Sequence, residues 1–234
     1  MKKLIVANWK MNPATIEEAK NIFEGIKKGA GDTETKVVIC PPFVYLAELK
    51  GLTLGAQDIF YEEKGAFTGE VSAEMLKNLG VEYVIIGHSE RRKYLGETDE
   101  IINVKIKKAL ESGLKVIFCI GETAEERESG KKNEVLERQI KKGLAGVENL
   151  ENINIAYEPV WAIGTGNNCS IQETKESIDF IKKFVEPKII ILYGGSVKGD
   201  NSKDYMEKSG ANGLLVGGAS LNAEEFVKIV KSAE

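Results

Sequence analysis

One histidine occurs among the 234 residues, and its position indicates acid–base chemistry. His88 follows the apolar run from Tyr83 to Gly87, which is typical of a buried strand that ends at a glycine. In parallel α/β proteins, ligands bind at the carboxyl ends of the strands. Since imidazole exchanges protons near neutral pH, His88 is a candidate catalytic residue. A surface histidine or one that caps a helix is the alternative.

A carboxylate and a lysine follow two other apolar runs. Glu158 follows the run from Ile153 to Tyr157 and precedes a mostly apolar segment, with glycines near its end, from Pro159 to Gly166. We interpret Glu158 as a general base beneath a lid that closes over substrate, with a packed apolar loop as the alternative. Lys10 lies in the segment from Asn8 to Asn12 and would offer a fixed positive charge to an anionic substrate. A lone lysine in this position is more often solvated surface.

Two glycine pairs near the C-terminus indicate a phosphate site. Gly194 and Gly195 precede Ser196, and Gly217 and Gly218 follow the last apolar run. Glycines let backbone N–H groups approach a ligand closely, and a helix N-terminus there would favour a dianion. In barrel enzymes the loops after strands 7 and 8 commonly bind phosphate. Each pair alone is weak evidence, but both pairs in these two loops predict a phosphate site.

Eight short apolar runs must position these residues, and charged amphipathic segments separate them. The predicted strands are Leu4 to Trp9, Lys36 to Cys40, Leu54 to Gln57, Tyr83 to Gly87, Lys115 to Ile120, Ile153 to Tyr157, Lys188 to Tyr193 and Gly213 to Val216. Predicted helices include Thr15 to Lys28, Thr98 to Ser112, Asn133 to Lys142 and Ile171 to Phe184. Eight units of about 29 residues predict a single (β/α)8 TIM barrel of eight parallel strands ringed by helices, with one domain over residues 1–234. An open doubly wound sheet is the alternative.

Composition excludes several classes of protein. A net charge of −4, without a dense basic stripe, argues against a nucleic-acid binder. Three widely spaced cysteines fit free thiols in a reducing cytosol, and a single histidine without a Cys-x-x-Cys pair argues against zinc. The first apolar run is too short for a signal peptide or a membrane span. We therefore expect a cytoplasmic protein without a membrane segment, a bound metal or a cofactor.

Five segments together resemble the triosephosphate isomerase family, in order and at compatible spacing over essentially the whole chain. They are Asn8 to Asn12, Gly87 to Arg92, Glu158 to Gly166, Tyr193 to Val197 and Leu215 to Ser220. The resemblance implies a cofactor-free isomerisation between D-glyceraldehyde 3-phosphate and dihydroxyacetone phosphate through an enediol(ate). It also implies a place in glycolysis and gluconeogenesis.

The resemblance assigns a role to each matched residue. Glu158 would move a proton between the two carbons, and a neutral His88 would act as the electrophile. Lys10 would stabilise the oxyanion and the phosphate, while Asn8 would hydrogen-bond the substrate oxygen. The positions that match the family's phosphate-binding residues are Gly164, Ser196, Gly217 and Gly218.

Supporting roles follow from the same matching. Ser89 would hold the catalytic carboxylate when the lid is open, and Glu90 would be the partner of Lys10. Tyr193 and Ser196 would grip the closed lid. The lid's second hinge, Asn167-Asn168-Cys169, departs from the Lys-Thr-Ala-like hinge common in relatives, which leaves the kinetics of the lid open.

A homodimer is also implied by the resemblance. The segment from Gly65 to Glu70 is similar to the family's third loop, which enters the neighbouring subunit. Thr68 would then help to position the active site of that subunit, and Glu70 would pair with Arg91. Taken alone, the segment reads as an ordinary surface loop.

Two other functions remain as alternatives. One is another phosphosugar isomerase or epimerase, although the metal-dependent epimerases need several histidines. The other is a non-catalytic barrel that binds a phosphorylated metabolite. Such a barrel would be expected to have lost Glu158, His88 or Lys10, because binding alone needs no base, and all three are present.

Overall fold

Eight parallel strands hydrogen-bond in the order of the chain and close into a barrel in the computed structural model, which describes residues 2–30, 33–163 and 168–234. The strands are β1 (Leu4–Asn8), β2 (Lys36–Cys40), β3 (Thr53–Ala56), β4 (Tyr83–Ile86), β5 (Lys115–Ile120), β6 (Ile153–Tyr157), β7 (Ile190–Tyr193) and β8 (Gly213–Val216). Pairing of β1 with β8 closes the ring, with Leu4 opposite Gly213. The predicted (β/α)8 barrel is confirmed, and the open sheet is excluded.

Helices surround the barrel. Those of the described residues are α1 (Ile16–Ala30), α2 (Ala73–Asn78), α3 (Ser89–Leu95), α4 (Asp99–Glu111), α5 (Ala124–Glu128), α6 (Lys132–Gly143), α7 (Ile171–Ile181), α8 (Ser202–Lys208) and α9 (Ala223–Lys231). Helix α5 begins with a complete capping box at Thr123, and α7 begins with one at Ser170. The side chains of these capping boxes therefore fix the first residue of each of the two helices.

Two layers of apolar side chains explain why the strands read as continuous hydrophobic runs. Along β1, Leu4 and Val6 belong to a cluster shared with alternate residues of the other strands, and Ile5 and Ala7 pack in the larger cluster that includes the helices. Both faces of each strand are buried, so period-two alternation between polar and apolar residues is absent. Such runs predict the strands well but do not reveal which residue faces which layer.

Some predicted ends are wrong by one to three residues. The strand predicted from Lys188 begins at Ile190, and the helix predicted to Phe184 ends at Ile181. Trp9 lies beyond the end of β1, although it is fully buried and its backbone N–H donates to the Cys40 carbonyl at 3.1 Å. Gly87 has a φ of 77°, which turns the chain out of β4 and into α3. Over the three described ranges, no helix is long and apolar enough to cross a membrane.

Candidate active site

A cavity of about 630 Å³ lies at the carboxyl ends of the strands, where the sequence places its candidate residues. Its lining brings together residues from the ends of β1, β4, β6, β7 and β8. Among them are Asn8, Lys10, His88, Glu158, Gly194, Gly195, Ser196, Gly217 and Gly218. These residues are far apart in the sequence, and closure of the barrel brings them together around one cavity.

His88 both caps a helix and faces the cavity, which unites the two interpretations of the sequence. It is the N-cap of α3, and its Nδ1 accepts a hydrogen bond from the Glu90 N–H at 3.2 Å. An Nδ1 that accepts is unprotonated, so the ring proton lies on Nε2, 3.0 Å from Glu158 Oε1. Burial disfavours the imidazolium, but the neighbouring Glu158 carboxylate outweighs it and raises the pKa of His88 in this arrangement. The geometry thus presents an Nε2–H to whatever occupies the cavity.

Glu158 is a buried carboxylate held by two donors. Its Oε2 accepts the Ser89 N–H at 2.9 Å, and its Oε1 lies beside His88 Nε2. Burial alone would raise its pKa, but His88 and the Ser89 N–H stabilise the charged form, so the pKa lies below its ordinary value. Gly121 packs against its backbone so closely that an added Cβ would lie 1.7 Å from the Glu158 carbonyl oxygen. The carboxylate is therefore ionised, and His88 and Ser89 hold it in this position.

Lys10 stands in a strained backbone conformation. Its φ of 55° is the only positive value found at a non-glycine residue in the described part of the chain. Two hydrogen bonds hold it: the Lys10 N–H donates to Asn8 Oδ1 at 3.0 Å, and Gln57 Nε2 donates to the Lys10 carbonyl at 2.8 Å. Its ammonium forms an ion pair with Glu90. Strain held at a cavity by surrounding contacts is typical of a residue that must point in one direction.

The predicted phosphate-binding residues that the structure describes lie at the glycine-rich end of the cavity. Gly217 lies close to the Lys10 side chain, since an added Cβ would approach Lys10 Cε to 3.3 Å, whereas a Cβ on Gly218 would meet nothing within 4 Å. Ser196 Oγ donates to the Ala162 carbonyl at 2.9 Å. Gly164, the remaining predicted phosphate ligand, lies outside the described residues.

Two tyrosines and a carboxylate support the two ends of the segment that follows Glu158. The Tyr193 ring stacks on Tyr205, with 4.1 Å between ring centroids, and Tyr205 Oη donates to the Cys169 carbonyl at 2.6 Å. Glu122 accepts hydrogen bonds from Trp161 Nε1 at 2.9 Å and from the hydroxyl of a third tyrosine, Tyr157, at 3.2 Å. Tyr205 and Glu122 were not predicted. The position of Glu122 just after β5 was a usable signal, but nothing local marks Tyr205.

The residues of the predicted dimer loop lie apart from the cavity lining. Thr68 and Glu70 are exposed. Arg91 pairs within the chain with Asp58 at 2.8 Å and with Glu97 at 2.7 Å. A pairing of Glu70 with Arg91 between two chains stays a prediction.

Chemically, the cavity holds an ionised base, an N–H donor and a cation. In the parts of the chain that the structure describes, no cluster of three or more His, Cys, Asp or Glu side chains could hold a metal ion. The three groups can remove a proton from carbon beside a carbonyl and stabilise the negative charge that develops on oxygen.

Comparisons with known proteins identify the family of the chain. The model of the family described as "Triosephosphate isomerase" matches residues 3–233. The chain is 48% identical to the triosephosphate isomerase of Carboxydothermus hydrogenoformans, with 99% of each chain covered. It is 48% identical to that of Aquifex aeolicus, over 99% of this chain and 100% of the relative, and 46% identical to that of Alkaliphilus oremlandii, over 98% of each. The chain belongs to the triosephosphate isomerase family.

Proposed function

We propose that this protein interconverts D-glyceraldehyde 3-phosphate and dihydroxyacetone phosphate through an enediol(ate), without a cofactor. The observation that carries the proposal is the convergence of Glu158, His88 and Lys10 on one cavity whose other end is rich in glycine. Family membership supports the same reaction. A barrel that only bound a phosphorylated metabolite would need no ionised, buried carboxylate beside an Nε2–H donor.

Glu158 is the base of the proposed reaction. Its carboxylate removes the proton from the carbon next to the carbonyl, and the electron pair of that C–H bond forms the enediolate double bond as the carbonyl oxygen takes up negative charge. The Nε2–H of His88 gives its proton to the former carbonyl oxygen, and the ring then takes the proton of the neighbouring hydroxyl, so the negative charge moves to that second oxygen. The Glu158 carboxyl group returns its proton to the former carbonyl carbon as the second oxygen becomes the new carbonyl, which completes the 1,2-shift. To reach substrate, Glu158 must give up its hydrogen bond to the Ser89 N–H, so the observed position is a resting one.

His88 is the electrophile, and it acts in its neutral form. The Glu158 carboxylate is what raises the pKa of His88, since burial lowers it. When Glu158 turns toward substrate, that opposing influence weakens and the neutral ring is favoured. Its Nε2–H then donates to the substrate oxygen, while Nδ1 stays bonded to the Glu90 N–H.

Lys10 and the glycine-rich loops bind the charged parts of the substrate. The Lys10 ammonium stabilises the enediolate oxygen and the phosphate, with Asn8 beside it, and the backbone N–H groups near Ser196, Gly217 and Gly218 donate hydrogen bonds to the phosphate oxygens. A lid over residues 159–166 excludes water from the intermediate, because an exposed enediolate phosphate eliminates phosphate. We place this activity in glycolysis and gluconeogenesis in the cytoplasm.

The direct test is isomerisation by the purified protein, with dihydroxyacetone phosphate detected through a coupled NADH-dependent reductase. Glu158→Gln keeps the shape of the side chain but removes the base, so we expect kcat to fall by about 100- to 10,000-fold. Glu207→Gln, an equal change on an exposed side chain, should leave kcat unchanged. Inactive wild-type protein that still binds phosphate would identify a phosphometabolite-binding barrel, and an unaffected Glu158→Gln variant would reveal a contaminating enzyme.

We also infer a homodimer built through the segment 65–70. Exposed apolar side chains occur in this segment and in the loops after β1 and β2: Phe67 is 41% exposed, Met11 93% and Val44 77%. Light scattering during size-exclusion chromatography should give twice the monomer mass of 25.7 kDa. Phe67→Glu should shift the protein toward monomer and lower kcat, and a wild-type monomer would contradict the inference.

A further inference from the structure

Besides His88, four acidic or basic side chains of the described residues line the candidate active-site cavity, and three of these four have partners. Lys10 pairs with Glu90, and Glu158 is held by His88 and Ser89. Glu225 accepts the Gly199 N–H at 2.7 Å and lies 3.7 Å from Lys228. The fourth side chain, that of Lys198, has no ion pair or side-chain hydrogen bond with any residue that the structure describes.

Lys198 lies at the glycine-rich end of the cavity. It is two residues after Ser196 in the loop that follows β7, and it lines the cavity together with Gly217 and Gly218. Its backbone is fixed, because its N–H donates to Asn201 Oδ1 at 2.8 Å. The side chain is exposed. A fixed backbone thus carries a long, unpaired cation at the entrance to the phosphate end.

Long-range attraction by such a cation is the physical effect to expect. An exposed ammonium that keeps its water contributes little to a fixed contact, yet it raises the local concentration of a dianion and speeds its capture. The chain as a whole is acidic, with a net charge of −4, so its overall field repels a phosphorylated substrate. Lys10 is already paired with Glu90. Among the residues that the structure describes, Lys198 is therefore the positive charge in the cavity lining that has no partner.

We propose that Lys198 is a specificity-determining residue that attracts the dianionic phosphate of the substrate and favours phosphorylated over neutral aldoses. This inference rests on the proposed isomerase activity. Lys198 touches no reacting atom in this role, so it affects the rate at which substrate is captured, which kcat/KM measures. Catalysis on the bound substrate is then unchanged.

Lys198→Met tests the proposal, with Lys203→Met as the matched control. Lys203 lies in α8, pairs with Glu207 at 3.7 Å and is absent from the cavity lining. At about 20 mM salt, we expect Lys198→Met to lower kcat/KM for D-glyceraldehyde 3-phosphate by about fivefold, with kcat unchanged. The deficit should shrink at about 500 mM salt, where charges are screened. Lys203→Met should behave as wild type at both salt concentrations.

Two further measurements separate this role from a structural one. Unphosphorylated D-glyceraldehyde should be isomerised equally by wild type and Lys198→Met, and the Kd for inorganic phosphate should rise about fivefold in the variant. Equal losses for both aldoses, or a phosphate Kd that does not change, would overturn the proposal. If wild type isomerises neither aldose, the proposed activity fails and the phosphate titration alone decides whether Lys198 attracts the anion.

Discussion

One backbone N–H, that of Ser89, holds the Glu158 carboxylate in its resting position. Ser89 is the first residue of α3, a position where proline is tolerated because its N–H has no helical partner. Ser89→Pro therefore removes the donor to Glu158 without breaking the helix, whereas Ser89→Ala keeps it. Since that bond stabilises the charged form, its loss raises the pKa of Glu158.

We expect the acidic limb of the kcat/KM profile against pH to move to higher pH in Ser89→Pro. Ser89→Ala should retain the wild-type limb. If both variants move the limb equally, the hydroxyl matters and the backbone bond does not.

Gly121 supplies a steric prediction at the same scale. A methyl group at this position would lie 1.7 Å from the Glu158 carbonyl oxygen, so Gly121→Ala must displace the base. We expect kcat/KM to fall by about 100-fold or more, because a misplacement of about 1 Å has that effect. The matched control is Gly143→Ala, which clashes with Phe118 in the core, at 2.3 Å, and away from the cavity lining. That variant should lose stability, measured by urea unfolding, but keep its kcat while folded.

Features of the site that depend on neighbouring residues in the sequence could be predicted, and features that depend on contacts from other elements could not. His88 and Glu158 each end an apolar run, so spacing along the chain marks them as candidates at the barrel mouth. The positive φ of Lys10 is not predictable in this way, because it depends on Gln57 from another strand end. The proton on His88 Nε2 likewise follows from a contact with Glu90 that exists only once α3 has formed.

At the scale of elements, Glu122 joins the end of β5 to the segment after β6. Its carboxylate accepts hydrogen bonds from Trp161 Nε1 and from the Tyr157 hydroxyl, and its backbone carbonyl accepts the Val160 N–H at 3.1 Å. Glu122→Gln leaves one acceptor oxygen for two buried donors. We expect the free energy of unfolding to fall by about 1–3 kcal/mol, and kcat/KM to fall with it because Glu158 lies in the same segment.

Tyr157→Phe is the control for that prediction. It removes one donor and leaves the contact between Glu122 and Trp161 in place, so the loss in unfolding free energy should be smaller and kcat/KM should change less. Equal kcat/KM for the two variants would mean that the contact with Trp161 does not position the segment. Urea unfolding and the isomerase assay together give both quantities.

At the scale of the whole molecule, the apolar runs predict eight strands, but their ends shift where polar and apolar residues mix. Lys188 was placed in a strand that starts at Ile190, because only tertiary pairing with β6 defines the start. Closure of the barrel is a global property that the count of units favours but that no local pattern contains. A net charge of −4 carries no information about where the charges cluster in the fold.

One cluster of charges ties three parts of the molecule together. Asp58 Oδ2 contacts Lys105 Nζ at 2.6 Å and Arg91 Nη2 at 2.8 Å, and Glu97 Oε1 contacts the same two cations. The cluster links the loop after β3 to α3 and α4. Burial outweighs the cations at Asp58 and raises its pKa to about 6.

The raised pKa gives stability a defined dependence on pH. A carboxyl group whose pKa is higher in the folded state stabilises the fold fully below its unfolded pKa of 3.8, and that contribution is lost as the pH rises through about 6. Asp58→Asn keeps the neutral form at every pH. We therefore expect the variant to exceed wild type in free energy of unfolding by about 1–3 kcal/mol at pH 8, and the difference to vanish near pH 4. Asp204→Asn, at an exposed ion pair with Lys208, should show no such pH-dependent gain. A loss of stability in Asp58→Asn at pH 8 would mean that the ion pairs outweigh the burial of the carboxylate.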